Sequence, residues 1–218
     1  MSPEKSLSPS RPPVPVIGIV GGIGSGKSAL SHWVADRYPV VLIDADQLGH
    51  AALVHPAVIT QLRAVFDDGI LDPSGAISRS ELAKRVFGSD RDQQIARQQL
   101  EAIVHPAIRQ RAQVLMAAAD PLAHVAILLD AAILLETGWR DMCDLVVYVD
   151  TPDALRQAAI AARGWSSAQL AEREASQWSL DRKRAAADVV IRNDSTLAEA
   201  GSRLWQAIEQ TPQRRSAD

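Results

Sequence analysis

The chain has 218 residues, 47% of them hydrophobic and 22% charged, with a formal net charge of −3. That length suits one globular unit, or a core domain with an inserted subdomain, and is enough to bury a proper core. The charge gives no footing for non-specific nucleic-acid binding, no apolar run nears the roughly 18 residues of a membrane span, and the single cysteine, Cys143, excludes an intramolecular disulfide and fits a cytoplasmic setting.

Residues 1–14 are rich in Pro and Ser and carry no apolar h-region, so they read as a disordered tail and not as a signal peptide. The run Val16-Ile17-Gly18-Ile19-Val20 follows and reads as a buried strand. It leads into Gly21-Gly22-Ile23-Gly24-Ser25-Gly26-Lys27-Ser28, which fits G-x-x-x-x-G-K-[ST], with a helical pattern from Lys27 onward. Strand, loop and helix in that order are the setting in which this motif cradles phosphate. Backbone N–H groups can approach polyphosphate only where side chains are absent, which explains Gly22, Gly24 and Gly26 around Ser25. The spacing implies nucleoside triphosphate binding, with the Lys27 ammonium on the β/γ-phosphates, the Ser28 hydroxyl on Mg²⁺ and the Ala29 amide near the α-phosphate.

Val40-Val41-Leu42-Ile43 reads as a second strand, buried on both faces of a parallel sheet. Asp44 and Asp46 follow at its carboxyl end, where open α/β sheets bind ligands. Residues 47–120 read as four helices without a convincing strand. One lies around Val58–Phe66, and one is opened by a capping box at Ser78-Arg79-Ser80-Glu81 and runs to about Phe87. A third runs from about Asp92 to Val104, is broken at His105-Pro106, and is followed by a fourth from Pro106 to about Ala119. This stretch suggests an inserted helical subdomain that holds a second substrate.

His124–Asp130 is the third expected strand; the Asp130 carboxylate reads either as a metal-shell group or as a helix cap. Leu145–Asp150 is the fourth, followed by a helix with proline in its first turn. From Arg163 to Arg184 the chain is helical and cationic, with Ser166 and Gln169 forming a cap. Cations on a segment that closes over polyphosphate neutralise transition-state charge, which singles out Arg163; the alternative is a solvated helix face. Asp188-Val189-Val190-Ile191 is the fifth strand, leading to Asn193. A capping box at Thr196 opens the last helix, with Leu197, Leu204 and Ile208 on its inner face, and the chain is expected to fray from about Thr211.

Several stretches together resemble the dephospho-coenzyme A kinase family. They are Gly18–Ser28, Ile43-Asp44-Ala45-Asp46, Arg85-Val86-Phe87, Leu100–Ile108 with its His105-Pro106, Leu128-Leu129-Asp130 with Leu134-Leu135-Glu136, and Ala187–Asn193. They occur in the family's order from about Val16 to Ile208. The resemblance implies a P-loop kinase fold, α/β, with a five-stranded parallel sheet flanked by helices. The core comprises residues 15–46, 122–155 and 186–210, the helical substrate subdomain about 47–121, and a lid about 156–185. It implies transfer of the ATP γ-phosphoryl group, with Mg²⁺, to the 3′-hydroxyl of dephospho-coenzyme A, by a monomer or small homo-oligomer.

By the same resemblance Asp46 is the base that takes the hydroxyl proton, although a helix N-cap is its other reading. His105 either contacts the acceptor or ends its helix, and Asn193 lies on the adenine side. The chain departs from the family at His50, where Arg is usual, at Ala132–Glu136, which lacks a proline, and before the lid, where one of two Arg positions four apart is unfilled and Arg156 stands nearby. Another small-molecule P-loop kinase, or a binding protein that holds ATP or coenzyme A without turnover, are the competing readings.

Overall fold

A computed structural model of the chain describes residues 11–88 and 90–212; the tail expected over 1–14 lies outside it as far as residue 10. Val14 already belongs to the buried core. Five strands form one parallel sheet: β1 (Val16–Gly21), β2 (Val40–Asp44), β3 (Ala126–Asp130), β4 (Leu145–Asp150) and β5 (Val189–Arg192). Their order is β2-β3-β1-β4-β5. The apolar runs explain the arrangement, since strands covered on both faces need no polar alternation, and every residue of β1 and β3 is buried. Register sets Asp130 beside Ile19 on one side and Asp44 on the other, so three strands end along one edge.

The chain divides into two compact units. One comprises residues up to Asp44 and from Leu115 onward, and the other is Ala45–Val114. In the first, helices α1 (Lys27–Ala35) and α9 (Leu197–Glu209) cover the sheet through Leu30, Val34, Ala200, Leu204 and Ile208. The Thr196 capping box forms as expected. Leu197, however, is exposed: it sits in the first turn, outside the stripe Ala200–Leu204–Ile208 that meets the sheet. Thr211 is buried, with its hydroxyl donating to the Ala207 carbonyl at 3.0 Å, so order extends past the expected fraying point.

The second unit holds α2 (Ala45–Ala52), α3 (Pro56–Phe66), α4 (Arg79–Val86) and most of α5 (Arg91–Ala117), around Val58, Leu62, Ile70, Leu82 and Val104. At α4 only half of the expected capping box forms. Ser78 accepts from the Glu81 amide, whereas the Glu81 carboxylate pairs with Lys84 at 2.7 Å. The expected break at His105-Pro106 is absent, and α5 continues through Pro106. The reason is packing. Leu100, Ile103, Val104, Ala107 and Ile108 continue one helical stripe straight past the proline and all meet the same cluster. Burial along that stripe outweighs the roughly 3 kcal/mol that an interior proline costs.

Candidate active site

The loop between β1 and α1 is held from behind by side chains that sequence spacing does not connect. The Ile23 carbonyl accepts from Arg156 Nε at 3.0 Å, and the Ser25 carbonyl accepts from Thr151 Oγ1 at 2.8 Å and from Asn193 Nδ2 at 2.9 Å. In a trans peptide the following N–H points the opposite way, so the Gly24 and Gly26 amides are turned away from these side chains. That is the orientation an anion cradle needs. Gly24 and Gly26 take φ of 77° and 81°, which other residues rarely adopt, and a Cβ on Gly24 would lie 2.8 Å from the Arg156 carbonyl.

Gly26 caps α1 without a side-chain hydrogen bond, so the first-turn amides at Lys27, Ser28 and Ala29 are not capped by that residue. Ser28 and Ala29 are exposed. Lys27 Nζ lies 3.3 Å from the Gly22 carbonyl and 3.5 Å from that of Gly21, drawn back along the loop. Ser25 Oγ is buried with no hydrogen-bond partner among the described residues. An uncapped, glycine-lined turn with a buried, unpaired hydroxyl fits a polyphosphate.

Asp130 is buried at the end of β3, at the edge where Asp44 also ends its strand. Among the described residues no three His, Cys, Asp or Glu side chains come close enough to cage a metal. Mg²⁺ suits such a site, because it binds through few protein oxygens and keeps water and phosphate for the rest. Ser28 and Asp130 are the residues whose chemistry fits it.

In the second unit Asp46 is exposed in the first turn of α2, two residues beyond Asp44. His50, the position where the resembled family carries Arg, has its Nε2 2.9 Å from Arg79 Nη2, so a guanidinium reaches this point from α4 instead. His105 is half-buried inside α5 and does not end a helix.

After β4, α6 (Asp153–Ala162), α7 (Ser167–Ala175) and α8 (Leu180–Ala185) carry the cations. Arg163 lies exposed just past α6, and its guanidinium and that of Arg173 approach the Trp165 ring at 5.9 Å and 4.2 Å. Two residues escaped sequence reading. Arg156, singled out only as an uncertain substitute, is buried and packs on the loop. Lys183, one of three consecutive cations, is also buried. Its Nζ donates to the Ala132 carbonyl and to Gln177 Oε1, both at 2.8 Å, and lies 3.1 Å from Glu136 Oε1. Burial pulls its pKa down while Glu136 pulls it back up. The only hint in the sequence is Glu136, a carboxylate ending the apolar run Ile133-Leu134-Leu135, which needs a buried counter-charge.

A family model described as dephospho-CoA kinase matches residues 15–199. A dephospho-CoA kinase of Rhodopirellula baltica is 36% identical over 200 residues, covering 91% of this chain and 92% of its own length. One of Geobacter sulfurreducens is 37% identical over 196 residues, covering 87% and 94%. The crystal structure of TT1252 from Thermus thermophilus superposes with a TM-score of 0.74 at 28% identity, covering 91% of this chain and 99% of that one.

Proposed function

The chain belongs to the dephospho-CoA kinase family, and on that premise we propose that it transfers the ATP γ-phosphoryl group to the 3′-hydroxyl of dephospho-coenzyme A, the last step of coenzyme A synthesis. The observation that carries this reading is the family match across residues 15–199, which takes in the glycine loop, Asp46, His105 and Asn193 together. Nothing favours a different acceptor or a binding role without turnover.

The loop amides and the first turn of α1 bind the phosphates, and Lys27 swings from the Gly21 and Gly22 carbonyls onto the β/γ-phosphates. Ser28 and Asp130 are the residues that would hold Mg²⁺, which would offset the phosphate charge. Asp46 takes the proton of the attacking 3′-hydroxyl. Its place just beyond the carboxyl end of β2 supports this role, because strand ends of open parallel sheets are where ligands bind. A carboxylate there deprotonates the alcohol as the bond to phosphorus forms. His105 contacts the acceptor. Arg163, carried on the 156–185 segment that the family resemblance reads as a lid, leaves the Trp165 ring and turns to the phosphates. Asn193 acts through the Ser25 carbonyl as well as beside the adenine. The reaction runs in the cytoplasm, in a monomer or small homo-oligomer, without nucleic acid; among the described residues no helix is long and apolar enough to cross a membrane.

A coupled ADP-release assay with a panel of alcohol acceptors tests this. Dephospho-coenzyme A should give the highest kcat/KM by at least about tenfold, the discrimination that one well-made polar contact supplies. A folded protein that releases no ADP with it, or prefers a nucleoside, overturns the proposal.

A further inference from the structure

We propose that Arg156 is a positioning residue for the phosphate loop and that Glu174 ties it to helix α7, so that α7 and the Ile23–Gly24 peptide are held as one unit. The inference rests on the ATP-dependent reading above. Among the described residues the Arg156 guanidinium is one of few buried charges, with its side chain 7% exposed. Its N–H groups go to three separate places: Nε to the Ile23 carbonyl at 3.0 Å, Nη1 to Asp153 at 3.4 Å in the first turn of its own helix, and Nη2 to Glu174 on α7. The guanidinium itself is buried while both its carboxylate partners reach solvent, so its burial is matched by directed hydrogen bonds and not by a sealed ion pair. The planar fork instead fixes a direction. It draws the Ile23 carbonyl outward and so turns the Gly24 amide into the cradle.

The neighbourhood is shaped for this fork. A Cβ on Gly22 would lie 2.8 Å from Arg156 Nε and 2.9 Å from Leu180 Cδ2, so the loop glycine makes room for the guanidinium as well as for phosphate. Beside it lies a cavity of about 180 Å³ whose lining includes Gly22, Ile23, Arg156, Glu174 and Trp178, so the loop, the guanidinium and α7 face one space. Glu174 is 40% exposed and accepts from Arg156 Nη2, which gives α7 a hydrogen-bonded path to the loop through the guanidinium.

Titration calorimetry with ATP, alongside ADP release with dephospho-coenzyme A, tests the role. Arg156→Met should raise the Kd for ATP about tenfold, the loss of one charge-assisted hydrogen bond's orienting effect, while the KM for dephospho-coenzyme A stays within about twofold. Arg156→Lys should recover part of this, because an ammonium can reach Ile23 but cannot span to Glu174 as well. Glu174→Gln should weaken ATP binding about threefold, and the double variant Arg156→Met/Glu174→Gln should be no worse than Arg156→Met alone. A merely structural role would lower the active fraction without moving the Kd. If Glu174→Gln tightens ATP binding, Arg156 acts as a direct charge on the nucleotide and the proposal fails. It also fails if folded Arg156→Met binds ATP like wild type; should that variant not fold, Arg156→Lys and Glu174→Gln decide alone. Wild type that binds ATP but does not phosphorylate dephospho-coenzyme A removes the functional reading and leaves the loop inference standing.

Discussion

Lys183→Met removes the charge from a buried three-way junction. In wild type the ammonium meets the Ala132 carbonyl, Gln177 Oε1 and Glu136 Oε1, with the lysine side chain 1% and the Glu136 side chain 14% exposed. The variant leaves Glu136 with one donor among the described residues, the Trp178 amide at 2.8 Å, while its Oε2 already lacks a partner there. Breaking a buried pair from one side costs about 3–5 kcal/mol, and the retained Trp178 bond favours the lower end, ~3 kcal/mol. For a chain of this size that is a fall in Tm of roughly 6–12 °C. Lys183→Met/Glu136→Gln, which removes both charges and keeps an acceptor for the Trp178 amide, should recover at least about 1 kcal/mol of that loss.

The pH dependence has a definite sign. Burial holds the folded-state pKa of Lys183 below its ordinary 10.5, so between the two values the unfolded chain binds more protons. The stability this residue contributes therefore rises with pH through that window, and the gap between wild type and Lys183→Met should widen toward pH 10.5. Urea titrations at several pH values read both effects. A single variant within about 0.5 kcal/mol of wild type, the range of an ordinary surface change, refutes the reasoning.

Asp46→Asn should reduce kcat by about 10²–10⁴-fold, the contribution of a positioned base, and leave the Kd for ATP within about twofold; a near wild-type rate removes Asp46 as the base. Gly24→Ala should cost about 1–3 kcal/mol of stability from its left-handed backbone and abolish measurable ATP binding, since its Cβ meets the fixed Arg156 carbonyl; calorimetry showing unchanged affinity contradicts this. Cys143 should resist iodoacetamide in the native protein at pH 8 and react fully in denaturant, because burial pushes its pKa up to about 12; rapid native labelling, followed by mass spectrometry, contradicts it.

The sheet was legible because the strands are short apolar runs, three of them with a chemical marker at the carboxyl end: the glycine loop that starts in β1, and Asp44 and Asp130 as the last residues of β2 and β3. The phosphate loop was legible from eight residues. Local rules failed where tertiary packing decided the outcome. A proline rule broke α5 in two, yet the apolar stripe on both sides of Pro106 was already in the sequence and outweighs it. The loop's supporting shell was not legible, because Thr151, Arg156 and Asn193 lie more than 120 residues from the carbonyls they hold. Nothing in the cationic run 163–184 sets Lys183 apart from its neighbours, since burial of a lysine leaves no periodic trace.

The central claim concerns which bond forms, and ³¹P NMR of the purified product, from wild-type protein with ATP and dephospho-coenzyme A, reads it directly. The expected result is one new phosphate monoester on the ribose 3′-oxygen, in proportion to the ADP released. ADP without coenzyme A, or phosphate on any other oxygen, contradicts the account.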